Sequence, residues 1–532
     1  MKSLMKLLLL SILLCSCGKK TPVQKTEERP LRLNQRSMPR ALDPRQAYES
    51  YASFFVKMLF DGLMRIGEDG EPVCALAESY TISEDKKTYT FYLRSAHWTN
   101  GKEITAYDFA YAWKSIINPK TATRAAHLFY AIKNVQKILQ GEMELDAVGI
   151  YPLDAKTLRV ELEFPAPYFL ETTATAPYAP IPMELDLENP DWANETGEGF
   201  VSNGAFRLQA WNLEKELILV KNPTYWNAAS IHLPSIYTTF VRDETTGLLL
   251  FQKGEIDWFG RPLTLFPPDA LGDLARTGQV LFKDAFMTSW ALFNVQKIPF
   301  NNQKLRLAFA YALDRQEIVD HLTYDSTSAM RVFNASLAFQ EEPYFSDGNI
   351  EKARELFTQA LEELQLTKET FPIVSFSASN SESARRITQA IQQQWQRAFD
   401  ITVHVEYTDW NSFHTFVASG GHEIAYMGWV TWTRDPLYVL QSFKYADDGL
   451  NMTKWEDPRY QKLLDQAEHE ADPIFRKAFL HDAERLLMEE MPFVPLTFSK
   501  MAYMKNPQLE GVIVSDIFDV DFTRAYWKTN AN

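Results

Sequence analysis

Cysteine is almost missing from this chain. Three occur in 532 residues, two of them, Cys15 and Cys17, within the first twenty, so the body carries Cys74 alone and folds without an internal disulfide. Basic charge is in deficit as well. A formal net charge of −15 excludes a nucleic-acid binder, whose partner needs a basic face. The sequence also lacks G-x-S-x-G, H-E-x-x-H, a glycine-rich phosphate loop and, in the body, C-x-x-C. Its nine histidines are scattered, and His404, between two valines, reads as a structural residue of a strand. Acidic pairs such as Asp447-Asp448 and Glu489-Glu490 fit solvated faces or turns. No enzyme, metal or cofactor is therefore expected. Aromatic residues, by contrast, are plentiful, at 13% of the chain, which leaves enough rings to line a cavity as well as a core.

The first residues, MKSLMKLLLLSILLCSCGKK, set Lys2 and Lys6 ahead of an apolar run from Leu7 to Leu14. That run is too short to span a bilayer and has the flanks of a secretory signal. Ser16 immediately before Cys17 resembles a bacterial lipobox, so residues 1–17 read as a signal peptide and Cys17 as the lipidated first residue of the mature protein. Cys15 fits less well, because the bulky Leu14 precedes it; the alternative is a plain cleaved signal with incidental cysteines. Residues 18–30 are polar and read as a tether. The expected place is the periplasm or the outer face of a bacterial cell membrane, held through the lipid.

Strand and helix patterns alternate along the body. TLRVELEF, Thr157 to Phe164, puts Leu158, Val160, Leu162 and Phe164 on one face, the period of two of a half-buried strand. KTYTFYL at 87–93 and ELILV at 216–220 behave alike. NIEKARELFTQALEEL spaces Ile350, Ala353, Phe357, Ala360, Leu361 and Leu364 along one helical face, with Asn349 as N-cap. A second helix over Glu382–Phe399 runs into a strand over Ile401–Tyr407. The alternation predicts an α/β protein with mixed sheets. Asn100-Gly101 predicts a tight hairpin with two positive-φ residues, and Asn203-Gly204 a second turn. Pro223 to Trp226 reads as packing within a lobe.

Several stretches together carry a resemblance: Leu42-Asp43-Pro44, the run from Ala77 to Trp113, VSNGAFRL at 201–208, KNPTYWN at 221–227, PFNNQKLRLAFAYALDR at 299–315 and MGW at 427–429. In order and spacing they resemble the peptide-binding proteins of ABC importers, the OppA/DppA family, which is extracellular solute-binding protein family 5. The resemblance implies a two-lobed periplasmic binding protein type II fold with mixed sheets, an extra inserted lobe and a ligand cleft between lobes that closes by hinge motion. It implies lobe I over 31–60, 183–286 and 500–532, an inserted lobe II over 61–182 and lobe III over 287–499. The implied partners are a peptide or small-molecule ligand, the permease subunits of the importer and the membrane; a monomer is expected. The implied function is a receptor that binds peptides and delivers them to the permease. The alternative is the same fold retuned to a small non-peptide or modified solute, such as a haem precursor, a metal chelate or a cell-wall fragment.

In such proteins a peptide lies as an added strand along the segment holding the Gly-Trp pair, opposite the segment that follows Leu-Asp-Pro. The resemblance carries this over to Gly428, Trp429, Val430 and Trp432 on one side and Tyr48, Glu49 and Ser50, up to Tyr51, on the other. Backbone pairing of that kind is indifferent to side chains. If the strand ran on, Trp429 and Trp432 would point to opposite faces. Trp290, in MTSWALFN, and Trp410, in DWNSF, align with aromatic pocket positions of the family; for each ring, ordinary core packing is the competing reading. The family places an aspartate for the ligand's ammonium where this chain has Trp432, and a basic residue for its carboxylate where it has Tyr426. Arg434 could meet a ligand carboxylate or pair with its neighbour Asp435. Some relatives carry a cysteine pair at the positions of Met287 and Val430.

Overall fold

The computed structural model describes residues 29–47, 50–121, 124–212, 215–431, 433–470 and 472–528. The leader with Cys17, and Tyr48, Glu49 and Trp432, lie outside the described residues. No helix among the described residues is long and apolar enough to cross a membrane.

The alternating segments become three larger sheets. Leu31–Asn34, Ser235–Thr239, Glu216–Lys221 and Phe206–Asn212 lie side by side in that order, the first pair parallel and the others antiparallel. Ala77–Ile82, Thr88–Leu93, Thr157–Glu161 and Ile150–Asp154 form an antiparallel sheet of their own. Leu158 and Val160 are fully buried in it, as the period of two predicts, although the strand stops at Glu161 rather than Phe164. The third sheet is mixed: Trp258–Gly260, Phe493–Lys505, Leu281–Phe293 and Ile424–Val430 pair antiparallel, and Val374–Ser379 and Val403–Thr408 continue it in parallel. The helix Glu382–Phe399 makes the crossover between those parallel strands. Ile350–Leu364 is helical with Asn349 accepting from the Lys352 N–H, which satisfies a donor the helix leaves open.

Two large apolar cores result, which gives the two-lobed plan. One is shared by the first and second sheets and runs from Leu31 through Phe91 and Val160 to Leu217 and Phe522. The inserted segment therefore shares its core with the lobe into which it is inserted. The other core lies under the third sheet, around Phe293, Phe309, Trp395 and Leu487.

Both Asn-Gly turns differ from expectation. At Trp98 to Lys102 only Gly101 has a positive φ, of 84°, and the Trp98 N–H donates to the Lys102 carbonyl at 2.9 Å, so one left-handed residue closes the turn. Asn203-Gly204 is not a hairpin. Gly204 has no positive φ; a Cβ there would stand 2.5 Å from the backbone of Leu59, so glycine is needed for close approach. Asn203 holds the same junction, its Oδ1 accepting from the Asp61 N–H at 2.8 Å.

Asp61 is the polar centre of that junction. Its fully buried carboxylate accepts from Arg65 at 2.7 Å, the Tyr225 hydroxyl at 2.6 Å and Trp226 Nε1 at 2.8 Å, while the other arm of Arg65 reaches Asp521 at 2.7 Å. The KNPTYWN stretch thus packs the lobe, with its rings acting as donors. A second crossing is built on Arg434. Its backbone N–H donates to Glu171 Oε2 at 2.9 Å, and its guanidinium meets Asp516 at 3.0 Å and Glu71 at 3.1 Å, so one residue ties three distant segments together. Burial pushes the Glu171 carboxyl up to about 7, and Oε1 has no hydrogen-bond partner among the described residues.

Both crossings make testable statements. Asp61→Ala removes a buried carboxylate that accepts from three donors, so it should cost on the order of 3–5 kcal/mol in denaturant unfolding, whereas Tyr225→Phe should cost about 1 kcal/mol. Near-equal losses would contradict the central role of the carboxylate. For Glu171 the sign follows from proton counting: between the ordinary value of 4.5 and about 7, the unfolded chain releases a proton that the folded chain keeps. Its contribution to stability therefore falls as pH rises across that window. Glu171→Gln keeps the acceptor for Arg434 and removes the fall, so from pH 5 to 7 the variant should gain on the wild type by on the order of 2–3 kcal/mol. Parallel stability profiles for the two proteins would refute the assignment.

Candidate functional site

Between the lobes lies a cavity of about 410 Å³. One wall is the helix Ser50–Leu59, whose spacing sends Phe55, Val56 and Leu59 into the core and leaves Tyr51 and Lys57 half-buried at the cavity, with the buried Phe54 also in its wall. The facing wall is the strand end Met427 to Val430, with Trp410 and His414 from the helix Trp410–Ala418 beside it. Asp409 starts that helix, accepting from the N–H groups of Asn411 and Ser412, and so fixes Trp410 on its first turn. Trp410 is 54% exposed, as a ring kept at an opening should be.

The strand itself is half paired. Along one edge every residue from Ile424 to Val430 has a partner in Leu281–Phe293, while along the other edge only Ile424 and Ala425 do, opposite Phe376 and Ser377. From Tyr426 to Val430 that second edge has no strand against it among the described residues. Unpaired backbone at an edge is a template for another chain, and here it adjoins the cavity rather than bulk solvent.

Trp429 and Trp290 belong to one stack but do different work. The rings lie 5.9 Å apart at 13°, and Trp290 rests in turn on Phe493 at 4.4 Å. Trp290 is 2% exposed and does not line the cavity; it is the support behind Trp429, which does. Trp429 Nε1 is buried and has no hydrogen-bond partner among the described residues. Gly428 is exposed, and a Cβ there would meet Met287 Cε at 2.4 Å. Met287 and Val430 stand directly opposite one another in register.

Tyr426 and Arg434 are placed elsewhere. Tyr426 lines a separate cavity of about 110 Å³ with Ser289, Arg261 and Asp325, where burial raises its phenol above the usual range. Arg434 is held in the crossing with Asp516 and Glu71. The structure thus brings Gly428, Trp429, Val430 and Trp410 together at the cleft and keeps Trp290, Tyr426 and Arg434 apart from it. Ser50 begins the facing helix.

Sequence reasoning missed the charged pair of the cleft. Lys57 Nζ and Asp519 Oδ2 meet at 2.7 Å, and both line the cavity. They are 462 residues apart, so no local pattern could have joined them. Each neutralises the other. The wall consequently presents apolar rings and backbone rather than an unpaired charge.

Residues 71–451 match the bacterial extracellular solute-binding proteins, family 5, middle region. The chain is 34% identical to the oligopeptide-binding protein OppA of Bacillus subtilis over 96% of its own length and 94% of that protein's. It is 31% identical to the dipeptide-binding protein DppE of the same organism, over 93% and 91%. Among solved structures it is similar to the murein tripeptide binding protein MppA of Escherichia coli, with a TM-score of 0.81, 26% identity, and coverage of 94% of this chain and 99% of that one. Sequence and architecture agree along nearly the whole body: this chain belongs to family 5 of the bacterial extracellular solute-binding proteins.

Proposed function

We propose that this protein is an extracytoplasmic receptor that takes peptides into the interlobe cleft and delivers them to the permease of an ABC importer. The observation that carries the reading is the unpaired strand edge from Met427 to Val430 beside the cavity. A peptide laid there would form main-chain hydrogen bonds whatever its side chains. The lobes divide at 31–60, 183–286 and 500–532, at 61–182 and at 287–499, and they close over the ligand. Gly428, Trp429, Val430 and Trp410 touch it, and the family resemblance adds Tyr48, Glu49, Ser50 and Trp432 as ligand contacts. Mass spectrometry of ligand released by denaturing native protein is the test. Peptides of mixed sequence are expected; one recurring small molecule would instead mean a pocket retuned to a single solute.

Recognition of free peptide ends is weak in this reading. Trp432 stands where the family has an acid, and the only carboxylate lining the cavity among the described residues, Asp519, is already paired with Lys57. Titration calorimetry should therefore find free and N-acetylated forms of one peptide within about threefold of each other, since a cation–π contact retains only on the order of 0.5–2 kcal/mol of the attraction. A penalty of a hundredfold would mean that another acid captures the ammonium.

Membrane attachment is through a lipid on Cys17. The leader supports this by its lysines, apolar run and Ser16, and the acidic body offers no second anchor. Cys17→Ala should move the protein from the membrane to the soluble extracytoplasmic fraction. Retention of the variant at the membrane would exclude the lipid as the anchor.

A further inference from the structure

A second chamber, of about 230 Å³, adjoins the cleft and shares His127, Leu128, Thr175, Tyr438 and Leu450 with its wall. It lies between the inserted segment and the stretch 433–468, beyond the strand end at Val430. Its chemistry is unlike that of the cleft. Four tyrosines line it: Tyr168 and Tyr438 half-buried, Tyr130 and Tyr445 about 40% and 45% exposed toward the opening. Two carboxylates line it as well, Asp448 and Glu468, with Lys444 as the one lysine or arginine among the described lining residues.

That lysine is already committed. Lys444 Nζ lies 2.9 Å from Glu468 and 2.7 Å from Asp465, which is outside the lining, so the three lining charges sum to −1. Asp448 has no cationic partner among the described residues: its Oδ1 accepts only the Leu450 N–H, in a turn. Ser442 Oγ is a further, independent sign. The residue is 3% exposed, lines the chamber and has no hydrogen-bond partner for that oxygen among the described residues. A buried polar atom of this kind is rarely left without a partner. Aromatic faces and an uncompensated carboxylate together favour a cation.

We propose that this chamber receives a cationic side chain of the bound peptide, an ammonium or guanidinium on an aliphatic stem, with Asp448 as its principal countercharge and Tyr130 and Tyr445 flanking it. The inference rests on the peptide reading above and adds a preference that the cleft itself does not supply. Main-chain pairing admits many sequences; the chamber selects among them for lysine or arginine.

The test uses alanine tripeptides carrying lysine, norleucine or glutamate at each position in turn, each free and N-acetylated, titrated calorimetrically into the full mature chain at low salt. At one position the lysine peptide should bind on the order of tenfold more tightly than the norleucine peptide, and the glutamate peptide more weakly than either. Asp448→Asn keeps the acceptor for Leu450 and should reduce the lysine-to-norleucine ratio to about twofold or less. Glu468→Gln should lower the same ratio independently. Equal binding of lysine and norleucine peptides at all positions would overturn the proposal while leaving the peptide receptor intact. A lysine preference that disappears on N-acetylation would put the terminal ammonium in the chamber and overturn it too. If no peptide of any charge bound, the peptide reading itself would fall, and this inference with it.

Discussion

The pairing of two long strands, Leu281–Phe293 and Phe493–Lys505, is the constraint on which the rest of the molecule depends. Both run out of the core under the third sheet, and their ladder is broken midway. From Asp284 opposite Lys500 to Thr288 opposite Phe498, one strand advances four residues and the other two. A ladder interrupted in this way leaves backbone groups without their regular partners, and buried groups cannot stay so. The Phe286 N–H donates to the Asp516 carbonyl at 2.7 Å, and the Phe286 carbonyl accepts from the Thr431 N–H at 3.1 Å. The break therefore binds the C-terminal segment on one side and the end of the cleft strand on the other. A second irregularity follows at once, between Ser289 and Trp290, where Pro495 falls opposite Trp290. A proline inside a paired strand is tolerable at such a place, since it has no N–H to lose.

This arrangement explains why the cleft strand is open on one edge. The strand Ile424–Val430 is held throughout by Leu281–Phe293, but its other neighbour, Val374–Ser379, reaches only its first two residues. Pairing on both edges would have made it interior sheet. Pairing on one gives a rigid support with unsatisfied backbone on the other, and the stack of Trp429 on Trp290 on Phe493 stiffens it from behind. Close by, the Arg434 backbone fastens to Glu171 and its side chain to Asp516 and Glu71, so the lobes are also tied across the end of that strand.

Local order was legible in the sequence, and long-range order was not. The burial of Leu158 and Val160, the N-cap at Asn349 and the helix over Glu382–Phe399 all follow from patterns within one element. Asn203-Gly204 was misread because a glycine required for close approach to Leu59 looks, in sequence, like one required for a turn. The two-face argument for Trp429 and Trp432 assumed an extended run, but the strand ends at Val430. Trp290 carried the residue type of a pocket wall, and only the stack reveals it as the layer behind one. Lys57 with Asp519, and Arg434 with Glu71, join segments hundreds of residues apart, and Arg434 with Asp516 spans 82; nothing in the periodicity of either partner marks the other. The ordered family motifs identified the family better than any local pattern, because they register the whole chain at once.

The distribution of charge then divides the labour of recognition. In the cleft the two opposite charges are spent on each other at 2.7 Å, and separating them to serve a ligand would leave one partner poorly solvated near an apolar wall. A ligand gains more there from backbone pairing and ring contact than from its ends. In the adjoining chamber the balance is reversed: Lys444 is taken up by Glu468 and Asp465, and Asp448 is left uncompensated among tyrosine rings. Backbone pairing supplies affinity without sequence, and the surplus charge supplies sequence with little affinity of its own. A receptor built from both can accept many peptides and still rank them, which neither device would achieve alone.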